Sequence, residues 1–548
     1  MAAVDQLFSL ATAHAVVYAL CAVALVGGLM ALGREIGRSW AAAVLAPVIG
    51  LIVARTTLGG NLALPPILVP STISPPLIIW AVFFLLRKRL LLSAALLAFA
   101  THVHMVTGLH GVIVVGALAV WDADTRPRVL PAAGLYMVLA LPTLLPAAFL
   151  WNDGGLSAEE YVNIVAYERS PHHYVPTRFA DFEYVHFLSF ATVGLAALGH
   201  CWFSDDRSYA RLILRLLVVL VPCSLAGYLF VEEWPVKPLA LMQFFRMTVL
   251  LNLLVSVLVA AWLADLLRSR SGLLFGLLVL GSIAGSLYFV NLIRVAAALA
   301  AVCVLLAATS RMPAASWRER ALLVTWASAT AGVGLGATIW THDVASGVEA
   351  QLKPMADFVG TASFWLGLLV LGVAVALAVS ESRWRVFLVA ALGALIVTST
   401  VGLAVSLIDD EGVGGFEGRI DVQTTERARI DDVASYVRAE TATSSVLLVP
   451  PYTQEFRYRA ERAIVIDSKS FPFLEAGALE WRARIAAAIN DHLLPDGVID
   501  GWLSLSTDSL QDLACRYDAT HLVIENERVL SGAPLFAGNT YSVYEVDC

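Results

Sequence analysis

Charge is what this 548-residue chain has least of: Asp, Glu, Lys and Arg make up 15% of it, where an ordinary soluble domain carries roughly 25%. Hydrophobic residues reach 59% and the mean hydropathy is +0.75. A water-soluble monomer of that composition would expose more apolar surface than such proteins tolerate. A cytosolic enzyme, a disordered chain, a collagen and a small disulfide scaffold are all excluded. Lysine is scarcer than arginine: Lys88, Lys237, Lys353 and Lys469 are the four, against 32 Arg. No basic run with interleaved aromatics occurs, which argues against a nucleic-acid partner. Of the six cysteines, Cys21, Cys201, Cys223 and Cys303 lie in apolar segments as small buried hydrophobes. Cys515 and Cys548 share the tail without metal-ligand spacing, and can pair if that tail lies outside the cytoplasm.

Long apolar runs are abundant instead. Stretches long enough for a bilayer of ~30 Å fall at 12–33, 39–55, 69–86, 90–107, 108–121, 129–150, 184–203, 211–231, 247–267, 273–290, 291–309, 321–340, 361–380 and 386–407. The expected fold class is therefore an all-α polytopic membrane protein of about 13–14 transmembrane helices, with a small C-terminal extracytoplasmic α/β domain. The breaks at Gly108 and near Val290 are the least sharply marked. Residues 1–407 form the multi-span part, 408–423 a linker and 424–548 the tail domain. From Ile408 onward there are 24 acids and 12 bases, so an acidic tail follows a mildly basic membrane part.

Basic residues cluster in the loops after odd-numbered spans, as in Arg34 and Arg38, Arg87 to Arg89, and Arg126 and Arg128. By the positive-inside rule those loops are cytoplasmic. Both termini, and the longer loops 151–183, 232–246 and 341–360, then lie on the opposite face. In the tail, helices are expected at 424–440, 475–490 and 507–516. Strands are expected at Ser445–Val449, Ala463–Asp467, His521–Glu525 and Tyr541–Val546. The tail contains no G-x-G-x-x-G, P-loop or nucleophile elbow, which leaves it the role of capping or shaping an outer-face cavity.

The densest polar cluster runs from Trp151 to Glu183, with Asp153, Glu159, Glu160, Glu168, Arg169, His172, His173, Arg178, Asp181 and Glu183. Prolines stiffen it. Its carboxylates suit a general base and its arginines a bidentate phosphate contact; the duller alternative is a solvated linker. Thr101-His102-Val103-His104, followed by His110, brings imidazoles to a membrane edge. His102 and His104 lie roughly 200° apart on a helix, so capping and interhelical hydrogen bonds compete with metal binding. Arg246 opens a span, where it either snorkels or holds an anionic head group. In the tail, Pro450-Pro451-Tyr452 and Asp467-Ser468-Lys469 follow strands, where α/β domains bind ligands, although turn chemistry with solvated arginines accounts for these loops more readily.

This layout resembles the C-type (GT-C) membrane glycosyltransferases. More narrowly it is similar to a bacterial family of GT-C-like membrane proteins. The likeness is carried by Arg169-Ser170-Pro171-His172-His173-Tyr174, the Thr101–His110 turn, and Pro450-Pro451, Phe456-Arg457, Arg462, Lys469 and Glu480-Trp481-Arg482 in the tail. The resemblance implies a sugar donor on a polyprenyl phosphate, a carboxylate base in the first outer loop, and a bacterial inner-membrane location. That loop is expected ahead of the first span seen here, with Asp5 the acid nearest to it. Asp153, Asp181 and Glu183 are then the catalytic candidates. Arg169, His172, His173, Arg178, Arg246, His102 and His104 are the candidates for substrate and lipid-phosphate binding. No resident metal is expected at these residues, and a divalent cation is the one cofactor the chemistry would admit. The rival readings are a transporter or flippase, for which Asp265 and Arg294 speak, and a non-catalytic protein of envelope biogenesis.

Overall fold

The computed structural model describes residues 10–62, 64, 68–149, 155–203, 207–269, 272–286, 292–311, 316–339, 424–453, 456–489, 497–530 and 532–548. The expected spans at 361–380 and 386–407, and the loop 341–360, lie outside them. The described residues fall into two compact units. A helical unit draws on Met1–Leu144, Phe179–Ala226 and Gln243–Ile420. A mixed unit draws on Leu145–Arg178, Gly227–Met242 and Asp421–Cys548.

The helical unit contains α1 (Leu10–Gly37), α2 (Trp40–Ile52), α3 (Pro70–Leu86), α4 (Leu90–Val103), α5 (Met105–Trp121), α6 (Val129–Phe149), α7 (Asp181–Trp202), α8 (Ser208–Tyr228), α9 (Met247–Arg268), α10 (Leu273–Gly285), α11 (Leu292–Arg311) and α12 (Trp317–Ile339). Among the described residues five stretches, built on α1, α6, α7, α8 and α9, are long and apolar enough to cross a membrane, and shorter apolar helices accompany them. Helix α9 is the hub. It packs against α1, α2, α7 and α10 and is buried along almost its whole length, as expected of a helix apolar all round. Helices α6 and α8 instead leave Leu130, Val138, Val218 and Val221 exposed, the outward apolar surface that a lipid-facing helix presents. Where α2 meets α9, Ala41, Ala42, Ala261 and Ala264 form a small-residue contact joined by Ile36 of α1, allowing close helix approach.

The expected break at Gly108 occurs instead at His104, which separates α4 from α5. Its extended backbone (φ −149°, ψ 98°) leaves the helix, and Nδ1 accepts from Thr107 N at 3.2 Å, satisfying an orphan amide of the new helix. Gly108 serves a different purpose. A β-carbon there would collide with the backbone of Thr101, so this glycine lets α5 lie against α4.

The mixed unit is built on a five-stranded sheet of order β2-β1-β3-β5-β4, with β1 Val446–Leu448, β2 Ala463–Ile464, β3 His521–Glu525, β4 Phe536–Ala537 and β5 Tyr541–Glu545. β1 runs parallel to β2 and β3, whereas β5 is antiparallel to β3 and β4. The helices are α13 (Thr424–Glu440), α14 (Phe456–Ala460), α15 (Glu475–Ala488), α16 (Val498–Ser504) and α17 (Thr507–Arg516). Side chains alternate across the sheet as a two-residue repeat requires. Leu447, Val523 and Val543 pack under α13 and Phe456. Leu448, Leu522, Ile524 and Tyr544 face the other way, onto Trp481, Ile485, Trp502, Leu510 and Leu513. Cys515, in the last turn of α17, is disulfide-bonded to Cys548.

The second of these cores is not made by the tail alone. Tyr161, Ile164, Val165, Tyr174 and Val175 from one insert, and Val231 and Ala240 from another, are part of it. The described portion of the first insert is not an extended loop. It forms a short helix Ala158–Val162, a π-helical turn Asn163–Arg169, another turn Pro171–Tyr174 and a 3₁₀ turn Pro176–Arg178. Asp181 and Glu183, expected in that loop, instead open helix α7.

Candidate functional site

The candidate residues separate between the two units. Asp153 lies outside the described residues. His102, His104, Asp181, Glu183 and Arg246 are in the helical unit, and Arg169, His172, His173 and Arg178 in the mixed one.

In the helical unit, Asp181 is exposed in the first turn of α7, where a carboxylate complements the helix dipole. Glu183, half-buried two residues on, accepts from the backbone N–H of Gly59 (2.8 Å) and Gly60 (3.2 Å) on one oxygen. Both glycines have positive φ (74° and 60°), a conformation that costs them little. Their successive amides form a concave anion-holding nest, and Glu183 fills it. The same segment is fixed to α9: Thr248 Oγ1 accepts from Leu58 N at 3.2 Å, and Asn252 Nδ2 donates to Thr56 O at 2.7 Å. Leu58, Phe179 and Phe245 close over it. Arg246 ends the 3₁₀ turn Phe244–Arg246 ahead of α9 and is an electrostatic neighbour of His104.

The histidines of the Thr101–His110 turn do not converge. His102 meets Thr143 Oγ1 (2.5 Å) and Leu139 O (2.8 Å) on α6, while His104 caps α5. His110 is buried, with its ring 6.3 Å from that of Phe244. Capping and interhelical hydrogen bonding account for the first two. Among the described residues no three His, Cys, Asp or Glu side chains gather as metal ligands, so the residues present do not outline a divalent-cation site.

In the mixed unit, Arg169 is largely buried. Its Nη1 donates to Ser170 Oγ at 2.5 Å and its Nη2 to Lys469 O at 2.6 Å. Burial pulls its pKa down, and the nearby Tyr174 and Asp467 oppose that effect. The His172 and His173 rings lie with centroids 4.1 Å apart, tilted by 51° to one another. Arg178 lies 5.2 Å over the Tyr167 ring, and the adjacent Thr177 donates through Oγ1 to Glu232 at 2.6 Å. Burial, then Glu232, pushes the Tyr167 phenol up. Arg482 pairs with Glu168 at 2.7 Å.

Two groupings had no sequence signal. Glu475, 2% exposed, pairs with Lys237 and accepts from Leu156 N at 2.8 Å, so one carboxylate ties both inserts to α15. Glu525 accepts from Tyr452 Oη and from Trp502 Nε1 (3.0 Å), with Arg528 at 3.6 Å. Burial, then Glu525, raises the Tyr452 phenol far above its usual range. Partners so distant along the chain leave no local pattern.

A family model described as Domain of unknown function (DUF6798) matches residues 428–488. The matched stretch runs from within α13 to the end of α15 and contains Asp467, Lys469, Glu475 and Trp481. No curated protein and no solved structure matches the chain.

Proposed function

We propose that the chain is a GT-C-like membrane glycosyltransferase, acting on a polyprenyl-phosphate-linked sugar and an acceptor at the extracytoplasmic face of a bacterial inner membrane. One observation carries the reading: two segments that interrupt the series of apolar helices share a hydrophobic core with the tail. A common core needs a common compartment. It supports the layout of many spans with outer loops and an outer C-terminal domain.

In the proposed chemistry, Asp153 removes the proton from the acceptor hydroxyl as its oxygen bonds to the sugar carbon and the bond from that carbon to the phosphate oxygen breaks, releasing the lipid phosphate. Arg178, which lies 5.2 Å over the Tyr167 ring, stabilises the departing lipid phosphate, and preorganised cationic donors are effective there. No step is assigned to a cation.

Membranes carrying the chain are to be given labelled polyprenyl-phosphate sugar, and incorporation into acceptor measured. Asp153→Asn and Arg178→Ala each abolish incorporation at unchanged protein abundance. Full activity in both variants removes these roles. The transporter reading draws on Arg294, whose Nε is buried within α11 without a hydrogen-bond partner among the described residues. Flux of the labelled compound into sealed vesicles without covalent incorporation would establish that reading instead.

A further inference from the structure

We infer that the mixed unit contains a binding site for a phosphate-class anion, built by Arg169 and Lys469 at the carboxyl edge of strands β1 and β2. The starting point is a largely buried guanidinium that makes no ion pair among the described residues, Asp467 acting on it without direct contact. Both acceptors that hold the Arg169 guanidinium, Ser170 Oγ and the Lys469 carbonyl, are neutral. Its Nε is buried and has no hydrogen-bond partner among the described residues. The acids nearby are committed elsewhere. Glu168 pairs with Arg482 at 2.7 Å and accepts from Asn163 Nδ2 at 2.8 Å. Asp467 is buried and accepts through Oδ1 from the backbone N–H groups of Lys469 (2.7 Å) and Ser470. A guanidinium taken out of water is costly unless an anion accompanies it, and a bound oxyanion would supply the missing charge.

Position supports the same conclusion. β1 and β2 are parallel, and the loops that follow them are joined by a hydrogen bond from Ser468 N to Pro451 O at 2.9 Å. The carboxyl ends of parallel strands are where open α/β sheets bind ligands. Arg169 reaches this edge from the insert, at the end of its π-helical turn, a distortion that recurs at functional sites. Lys469, whose carbonyl holds Arg169, is exposed on the same turn, and the adjacent rings of His172 and His173 follow Arg169 within four residues. A guanidinium fork matches a phosphoryl group with two parallel hydrogen bonds. The exposed Lys469, on the residue whose carbonyl holds that fork, would add a second positive charge, which suits a doubly charged group better than a carboxylate. This inference does not depend on sugar transfer.

The test is calorimetric titration of the full chain in nanodiscs of zwitterionic lipid with inorganic phosphate, and a parallel measurement in which the added probe is vesicles containing phosphatidic acid. The expected result is saturable binding of at least one probe, weakened about tenfold by Lys469→Gln and lost in Arg169→Gln. Phosphate binding identifies a soluble phosphoryl ligand; a response to the vesicles alone identifies a lipid head group at the same residues. Because Lys469 is exposed, Lys469→Gln remains informative should Arg169→Gln fail to fold. Absence of saturable binding to both probes, or unchanged affinity in Lys469→Gln, overturns the inference. Neither arm contains a sugar donor, so the outcome is independent of the transferase assay.

Discussion

The two units handle polar groups in opposite ways. The helical unit neutralises them locally with backbone and hydroxyl partners: Asn252 on Thr56, Glu183 on the Gly59 and Gly60 amides, His102 on Leu139 and Thr143. It leaves its apolar side chains facing outward on α6 and α8. The mixed unit puts its apolar side chains on both faces of a sheet and buries charge in pairs or networks, as with Lys237–Glu475 and Glu525 with Tyr452, Trp502 and Arg528, while Arg169 and Arg462 rest on neutral oxygens. The comparison teaches where ionic recognition belongs. A unit with an outward apolar surface has few places for a hydrated charge, whereas one with a polar exterior has room for substrates and anions.

The sharpest way to break this contrast is at Glu475. Glu475→Ala strands the Lys237 ammonium in a buried position, and losing one partner of such a pair costs roughly 3–5 kcal/mol. Limited proteolysis should then cut both inserts much faster than in the native chain, while a Lys237→Met/Glu475→Leu double variant recovers most of the protection. Unchanged proteolysis in Glu475→Ala would mean that the inserts are held by apolar contacts alone.

Next in size is the Cys515–Cys548 disulfide, which closes a separation of 33 residues. Cys548→Ser should lower the stability of the mixed unit by about 3 kcal/mol, read as an earlier thermal transition that reductant no longer shifts. In the helical unit the matching test is Gly108→Ala, which drives a methyl group into the Thr101 backbone. Overpacking of this kind costs about 1–3 kcal/mol and should lower the melting temperature of detergent-solubilised protein. A melting curve identical to wild type would show that α4 and α5 separate freely.

The smallest effect concerns His521, whose pKa burial holds below the usual imidazole range against the pull of Glu545. A depressed folded-state pKa makes the unfolded chain the better proton acceptor. The contribution of His521 is therefore present above the ordinary imidazole pKa and is lost as pH falls through it. His521→Gln should reduce the acid-side loss of stability seen in chemical denaturation between pH 7 and pH 5 by a few tenths of a kcal/mol. An unchanged slope removes His521 from the pH response.

Much of the local architecture was readable. The strand His521–Glu525 and the helix Thr507–Arg516 fall where alternation and periodicity put them, because those signals come from neighbours within one or two turns. The short helices Phe456–Ala460 and Val498–Ser504 and the edge strand Phe536–Ala537 were not seen: elements of two to seven residues hold too few repeats to show a period. Among the site residues, Arg169 was legible as a charge in a stiff segment. Its acceptors, Ser170 and the Lys469 carbonyl, include one that lies 300 residues away and could not be read.

Sequence alone therefore determined the class of each region, since hydrophobic run length and side-chain period are properties of contiguous residues. It also named Cys515 and Cys548 as able to pair. Tertiary structure decided which segments belong together: the inserts around Tyr161 and Val231 join the core of Trp481 and Ile485, and Glu475 closes on Lys237. The physical reason is that burial and ion pairing depend on distance in space. A stretch that reads as a polar loop gives no sign of the distant apolar surface it will cover.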